Sequence, residues 1–172
     1  MLLNMITKTI SQSFSDASKK YDVLTDLHKE IGRELVGKIE MDGGGASILD
    51  IGMGTGELTS RLAKTFVDAQ VVGIDFAKGM IECAQEREEQ FHVVEGDAAQ
   101  LPFKNHIFDV ITSNLAYQWV DDLVGAFSLC HSKLKDEGRM CLTMFGYGTF
   151  DELFKALKAC DSQEGYQKNL AI

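Results

Sequence analysis

The stretch from Ser47 to Glu57, SILDIGMGTGE, constrains this chain more than any other. Ile48, Leu49 and Ile51 make a short apolar run of strand character, and Gly43, Gly44 and Gly45 before it read as a loop. Gly52, Gly54 and Gly56 then alternate where a buried strand turns into the helix predicted by Leu58, Leu62, Ala63 and Phe66. Glycine lets the backbone take positive φ and lets a ligand come close to the main chain, while a helix start presents unpaired N–H groups. A bare tight turn and a nucleotide-like site both fit such a unit. Two kinds of ligand are disfavoured. The only Gly-Lys pair, Gly37-Lys38, is followed by Ile39, so there is no phosphate-cradling ATP loop. A dinucleotide fingerprint counted from Gly52 and Gly54 needs a small residue at position 57, where Glu57 stands and would repel a pyrophosphate. The expected ligand carries a ribose but no phosphate.

Strand-like and helix-like segments alternate on both sides of this unit. Ser11 to Tyr21 reads as a polar approach segment whose large side chains, Phe14 and Tyr21, either staple it to the core or face a ligand. Leu24, Leu27, Ile31, Leu35 and Ile39 predict an amphipathic helix. Val71 to Ile74 predict a strand ending at Asp75, a little over twenty residues past the glycines. That is the separation at which a βαβ unit brings the next strand tip beside the first turn, where a carboxylate can accept bonds from ribose hydroxyls. Asp75 could otherwise cap the helix predicted by Ala77, Met80, Ile81 and Ala84.

The pattern repeats at Phe91 to Glu95, followed by Gly96-Asp97, which is either an adenine-edge reader or an Asx-type turn. A fourth strand, Phe108 to Thr112, ends in SNLAYQWVDD, where Asn114, Tyr117, Gln118 and Trp119 gather polar and aromatic groups. Tyr117 and Trp119 serve equally well as core anchors. A helix through Leu123, Phe127, Cys130 and Leu134, a turn at Gly138 and a strand from Met140 to Phe145 follow. Thr149 and Glu152 match a capping box for a last helix. This order predicts one α/β domain, a doubly wound and mainly parallel sheet with helices on both faces.

Charge and composition narrow the partners. A formal net charge of -9 and a pI near 4.9 argue against a nucleic-acid surface. Cys83, Cys130, Cys141 and Cys160 form no C-x-x-C pair and read as buried reduced thiols, and His28 and His92 have no second ligand at metal spacing. No metal site emerges. The start, MLLNMITKTI, has neither a basic leader nor an uninterrupted apolar core, and no later run reaches the length of a membrane span, so a cytoplasmic protein is expected.

Taken together, ILDIGMGTG, VVGIDFAKGM, VVEGDAAQLPF, FDVITSNLAYQWVDD and LKDEGRMCLTMFGYGTFDEL resemble the class I S-adenosylmethionine-dependent methyltransferases. The resemblance implies a Rossmann-like sheet of order 3-2-1-4-5 and S-adenosylmethionine as cofactor. It implies that Gly52, Met53 and Gly54 pass under the methionine part, that Asp75 holds the ribose, and that Phe76 and Met80 flank the adenine. Asp97 and Ala98 would read the adenine edge, Asn114 and Leu115 would lie near the methionine, and Asp50 would orient the glycine turn or the amino group.

Within that class, FSDASKKYDVLTDLHKEIGRELV, SNLAYQWVDDL and the start at Gly148-Thr149 are most similar to the malonyl-acyl-carrier-protein O-methyltransferases of biotin synthesis. This implies a carboxylate acceptor, with Tyr21 as a lid residue and Trp119 as a wall on the acceptor side. It also divides the chain into a lid and helix over 1–46, a cofactor-binding core over 47–160 and a polar tail over 161–172. Met53 stands where cysteine is common, and Asp136-Glu137-Gly138 replaces a proline-glycine turn. The strand pair that class I enzymes usually add after the fifth strand has no counterpart here. A fragment, a truncated product or a subunit that meets another chain at the edge strand 140–145 is therefore expected.

Overall fold

A computed structural model describes residues 2–41 and 44–161, with side chains over 9–41 and 44–159. Gly43, the Cys160 side chain and the tail from 162 to 172 lie outside the described residues. The glycine-bearing strand is β1 (Ser47–Ile51), the middle of a five-stranded sheet with β2 (Gln70–Asp75), β3 (His92–Glu95), β4 (Phe108–Asn114) and β5 (Leu134–Thr143). Their order is β3-β2-β1-β4-β5 and each pairing is parallel, as the alternation of elements and the family likeness imply.

Successive side chains of a strand point to opposite faces, so β1 feeds two cores. Ile48 packs with Leu35 and Val36 of α2 (Asp26–Gly37) and with Leu58 and Leu62 of α3 (Glu57–Thr65). Leu49 and Ile51 pack on the other side with Ala126 and Cys130 of α5 (Leu123–Lys133). Full burial of each such aliphatic side chain contributes roughly 1.5–3 kcal/mol. Ile48, Leu49 and Ile51 are all 0% exposed, so the centre of the sheet anchors the whole. No helix among the described residues is long and apolar enough to cross a membrane.

On the Ile48 side of β1, Asp50 is buried among these apolar groups. Its carboxylate accepts from Thr59 Oγ1 of α3 at 2.7 Å and from Thr112 Oγ1 of β4 at 3.2 Å. Three elements thus meet at one carboxyl group. Burial pushes its pKa from 3.8 to about 7 against the pull of those two hydroxyls, with Asp75 and Glu57 adding repulsion.

Several local expectations are corrected. Ser11 to Tyr21, expected as a polar approach segment with no helix assigned, is part of α1 (Leu2–Leu24), a continuous helix. Small polar residues make its contact. Ser11 Oγ donates to the Phe76 carbonyl at 3.2 Å, and the Gly79 N–H of α4 (Lys78–Gln85) donates to Ser15 Oγ at 3.2 Å. A Cβ on Gly79 would lie 2.6 Å from the Ser15 carbonyl oxygen. The predicted helix through Leu24 is broken at Thr25, and Leu24 and Leu27 are 76% and 60% exposed.

Leu134 ends no helix but opens β5, and Gly138 sits in a bulge rather than a turn. Pairing jumps from Phe108 with Leu134 to Val110 with Arg139, and a Cβ on Gly138 would crowd the Phe108 carbonyl at 3.0 Å. Thr149 forms no capping box, because its hydroxyl donates to the Gly146 carbonyl at 2.7 Å and α6 starts at Asp151 (Asp151–Asp161).

Two outcomes test this frame. Because folded Asp50 holds its proton more tightly than unfolded Asp50, its contribution is complete below the unfolded pKa and declines as pH rises. Urea midpoints should fall between about pH 4 and pH 7, by on the order of a few kcal/mol of stability, and this component should be missing from Asp50→Asn. Gly79→Ala should cost on the order of 1–3 kcal/mol by overpacking. Hydrogen exchange should rise over residues 9–24, and unchanged protection there would contradict the close α1–α4 contact.

Candidate functional site

The C-terminal ends of β1, β2, β3 and β4 open along one rim, the edge at which parallel α/β sheets leave a crevice. A cavity of about 260 Å³ runs along it. Gly52, Gly54, Asp75, Phe76, Met80, Asp97, Ala98, Asn114 and Leu115 line it, as do Tyr21 and Trp119. The structure therefore brings together eleven of the thirteen residues singled out from sequence. The other two, Asp50 and Met53, lie behind the glycine turn, lining a cavity of about 50 Å³ that also touches Tyr21, Gly52, Gly54 and Asn114.

The turn holds this geometry through its main chain. Gly52 and Met53 both donate to the Ile74 carbonyl, at 2.9 and 3.1 Å. Gly52 has φ +71°, and a Cβ there would collide with the Ala116 side chain. Only glycine combines that backbone with so near an approach. The Met53 side chain turns inward beneath Gly73, joining Ile81 and Ala84, away from the large cavity.

Asp75 joins two strand tips. Its Oδ2 accepts from the Gly54 N–H at 2.9 Å and its Oδ1 from the Ala77 N–H at 2.8 Å. The side chain thus serves the segment before α4 and the glycine turn together. Burial raises its pKa against these bonds. Each carboxylate oxygen accepts more than one hydrogen bond, so capacity remains for a ligand's hydroxyls. Asp97 Oδ1 accepts from the Ala99 N–H at 2.8 Å, an Asx-type turn that fixes the carboxylate at the cavity's edge.

At the end of β4, Asn114 is held at both ends of its amide. Nδ2 donates to the His28 carbonyl of α2 at 2.9 Å, and Oδ1 accepts from Thr143 Oγ1 of β5 at 2.6 Å. Leu115 follows with φ +52°, a left-handed conformation that costs an L-residue roughly 1–2 kcal/mol. Its N–H donates to the Thr143 carbonyl and hydroxyl, both at 3.1 Å, which holds the strained residue in place. No local sequence signal marks this conformation.

Helix α1 covers the crevice with residues at helical spacing, Ile10, Phe14 and Tyr21. Phe14 sits edge-on to both Tyr21 and Trp119, with ring centroids 6.3 and 5.5 Å apart. Trp119 is 46% exposed, whereas Tyr117 is 1% exposed and its hydroxyl meets Cys130 Sγ at 2.9 Å, so Tyr117 anchors the core. The pKa of Tyr21 is raised by burial and by Asp75 and Asp22, which keeps its phenol neutral.

A polar clasp unmarked by any sequence motif secures this cover. Asp22 accepts from Thr55 Oγ1 at 2.5 Å and from Arg87 Nη2 at 2.6 Å, while Arg87 Nε donates to the Thr55 carbonyl at 2.6 Å. Asp22 lies on the same face of α1 as Ser11, Ser15 and Ser18, a spacing that could have revealed the contact face.

Residues 49–142 match the family described as methyltransferase domain. The malonyl-[acyl-carrier protein] O-methyltransferase of Bacillus cytotoxicus is 31% identical over 98% of this chain, and that of Acetivibrio thermocellus is 36% identical over 87%. The aligned regions cover only 61% and 54% of those two relatives. The solved Haemonchus contortus phosphoethanolamine N-methyltransferase 2, in complex with S-adenosyl-L-methionine, is 29% identical and superimposes with a TM-score of 0.64, covering 81% of this chain and 33% of that one. By the extent of the family match and by its fold, this chain belongs to the methyltransferase domain family.

Proposed function

We propose that the crevice holds S-adenosylmethionine and that the chain serves methyl transfer to the carboxylate of a carrier-bound acid, as in malonyl-acyl-carrier-protein methylation for biotin synthesis in the cytoplasm. The observation that carries this reading is the convergence of Gly54, Asp75 and Asp97, from three strand tips, on one cavity. The residues fit the cofactor. A backbone cradle at Gly52 leaves no room for a side chain, and a buried carboxylate at Asp75 retains acceptor capacity. Among the described residues, no lysine or arginine lines the large cavity to hold a phosphate.

In this reading Gly52, Met53 and Gly54 carry the methionine part on their main chain, with Asn114 and Leu115 beside it. Asp50 acts from behind, holding the turn through Thr59 and Thr112. Asp75 accepts the ribose hydroxyls, Phe76 and Met80 flank the adenine, and Asp97 with Ala98 reads its edge. Residues 1–46 act as the covering part, residues 47–160 as the binding core and 161–172 as a polar tail.

Bound there, the cofactor supplies a methyl group on a sulfonium. A carboxylate acceptor is already ionised near neutral pH, so this chain's residues have only to exclude water and align the reactants. Tyr21 closes over the site as a neutral phenol, and Trp119 walls the acceptor side. Their aromatic faces tolerate a cation.

A second reading has its own support. β5 is one of the two edge strands among the described residues, and α6 exposes Leu153 and Phe154 at 52% and 46%. These features suit a cofactor-binding domain that pairs with another chain and does not turn over.

Calorimetric titration with S-adenosylhomocysteine is expected to saturate at one site per chain. Two bonds to a charged group are each worth at least roughly 1.5 kcal/mol, so Asp75→Ala should weaken binding by on the order of a hundredfold or more. No saturable heat in the folded wild type would remove both readings. Transfer of labelled methyl to malonyl-acyl carrier protein supports the first, while binding without transfer and a concentration-dependent mass supports the second.

A further inference from the structure

Arg87 lines neither cavity, yet it joins two parts of the molecule that do. Its Nε donates to the Thr55 carbonyl at 2.6 Å, and its Nη2 donates to Asp22 Oδ2 at 2.6 Å. Thr55 stands between Gly54 and Gly56 in the glycine turn and is 4% exposed, and Asp22 is the neighbour of Tyr21, which lines both cavities. A guanidinium is a planar fork with fixed donor directions, so one rigid group sets the spacing between turn and cover. The link matters because α1 lacks an apolar seat. Among its described side chains only Ser18 is buried, and none belongs to the three apolar cores. Ser11 and Ser15 near the start of α4 add polar contact, and Phe14 adds ring edges. An element with so few buried apolar contacts opens locally while the sheet stays folded.

We propose that Arg87 is a positioning residue for the ligand: through Thr55 and Asp22 it couples closure of α1 to the shape of the glycine turn, so that ligand and closed cover stabilise each other. The proposal rests on the cofactor reading above and deepens it. A ligand lying on the main chain of Gly52 to Gly54 fixes the peptides that lead into Thr55. With Thr55 fixed, its hydroxyl, which donates to Asp22 Oδ1 at 2.5 Å, and the Arg87 fork together hold Asp22. Tyr21 beside it is then kept over the crevice. Linkage is reciprocal: what the ligand adds to closure, closure adds to ligand affinity. Closure follows arrival of the ligand, so loss of the link shows mainly as faster release.

The test follows hydrogen exchange over residues 9–24 of the full chain with and without S-adenosylhomocysteine, and affinity by calorimetry. Release is timed by fluorescence of Trp119, the single tryptophan, whose ring centroid lies 5.5 Å from that of Phe14 on α1. In the wild type the ligand should slow exchange over 9–24 about tenfold, and Arg87→Gln should bind about tenfold more weakly, chiefly through faster release, and lose that slowing. Asp22→Asn, which leaves the Arg87–Thr55 bond in place, should also speed release, and the double variant should be no weaker than Arg87→Gln alone, since both act through one link. Lys135→Gln, which breaks a 2.7 Å ion pair with Asp109 outside both cavities, should leave release unchanged. Binding to the wild type without slowed exchange over 9–24, wild-type release in Arg87→Gln, or effects of the two substitutions that simply add overturns the coupling while cofactor binding stands. If Arg87→Gln does not fold, wild-type release in Asp22→Asn overturns it. Absence of saturable binding in the folded wild type removes the cofactor reading and the coupling together.

Discussion

The hydrogen bond from the Gly54 N–H to Asp75 Oδ2, 2.9 Å long, is the contact on which the rest of the site depends. It ties the turn after the central strand to the tip of its neighbour, across 21 residues of sequence. A buried carboxylate is costly to desolvate, and two backbone N–H groups offset that cost only when both tips are in place. The turn's shape and the carboxylate's position therefore stabilise each other. The Gly52 and Met53 bonds to Ile74 reinforce the same junction from the main chain.

Strand tips were legible in the sequence because parallel buried strands leave short apolar runs, each closed by a polar residue at the rim, whereas the strand order followed from the family likeness. Asp75 and Asp97 could be placed by that rhythm, and the helix-cap and Asx-turn readings are also satisfied: Asp75 bonds Ala77 and Asp97 bonds Ala99. The cover was legible only through the family likeness that made Tyr21 a lid residue, and its helical form and contact face were not. Periodicity analysis searches for large apolar residues, whereas α1 seats itself with Ser11 and Ser15 against Phe76 and Gly79. Gly138 shows a related failure. A glycine at a bulge and a glycine at a turn look alike until the partner strand, here at Phe108, is known. Leu115 was identified as a site neighbour, yet its left-handed backbone depends on Thr143 of another strand and has no local signature.

The site is also divided in kind. Its floor is rigid, built from strand ends whose side chains are bonded at both faces, as with Asn114 between His28 and Thr143. Its cover touches the floor through rings and small residues, and Trp119 remains half open to solvent. Such a division suits a pocket that must keep one ligand in register while a second group comes and goes at the mouth.

The clasp of Asp22 with Arg87 and Thr55 links positions 65 and 33 residues apart. On a ribosome, the first helix emerges well before the residues that receive it. Until Thr55, Gly79 and Arg87 have been made, Ser15 and Asp22 lack these distant partners. The segment translated early must therefore wait, and this pocket can be roofed only after most of its floor has been synthesised.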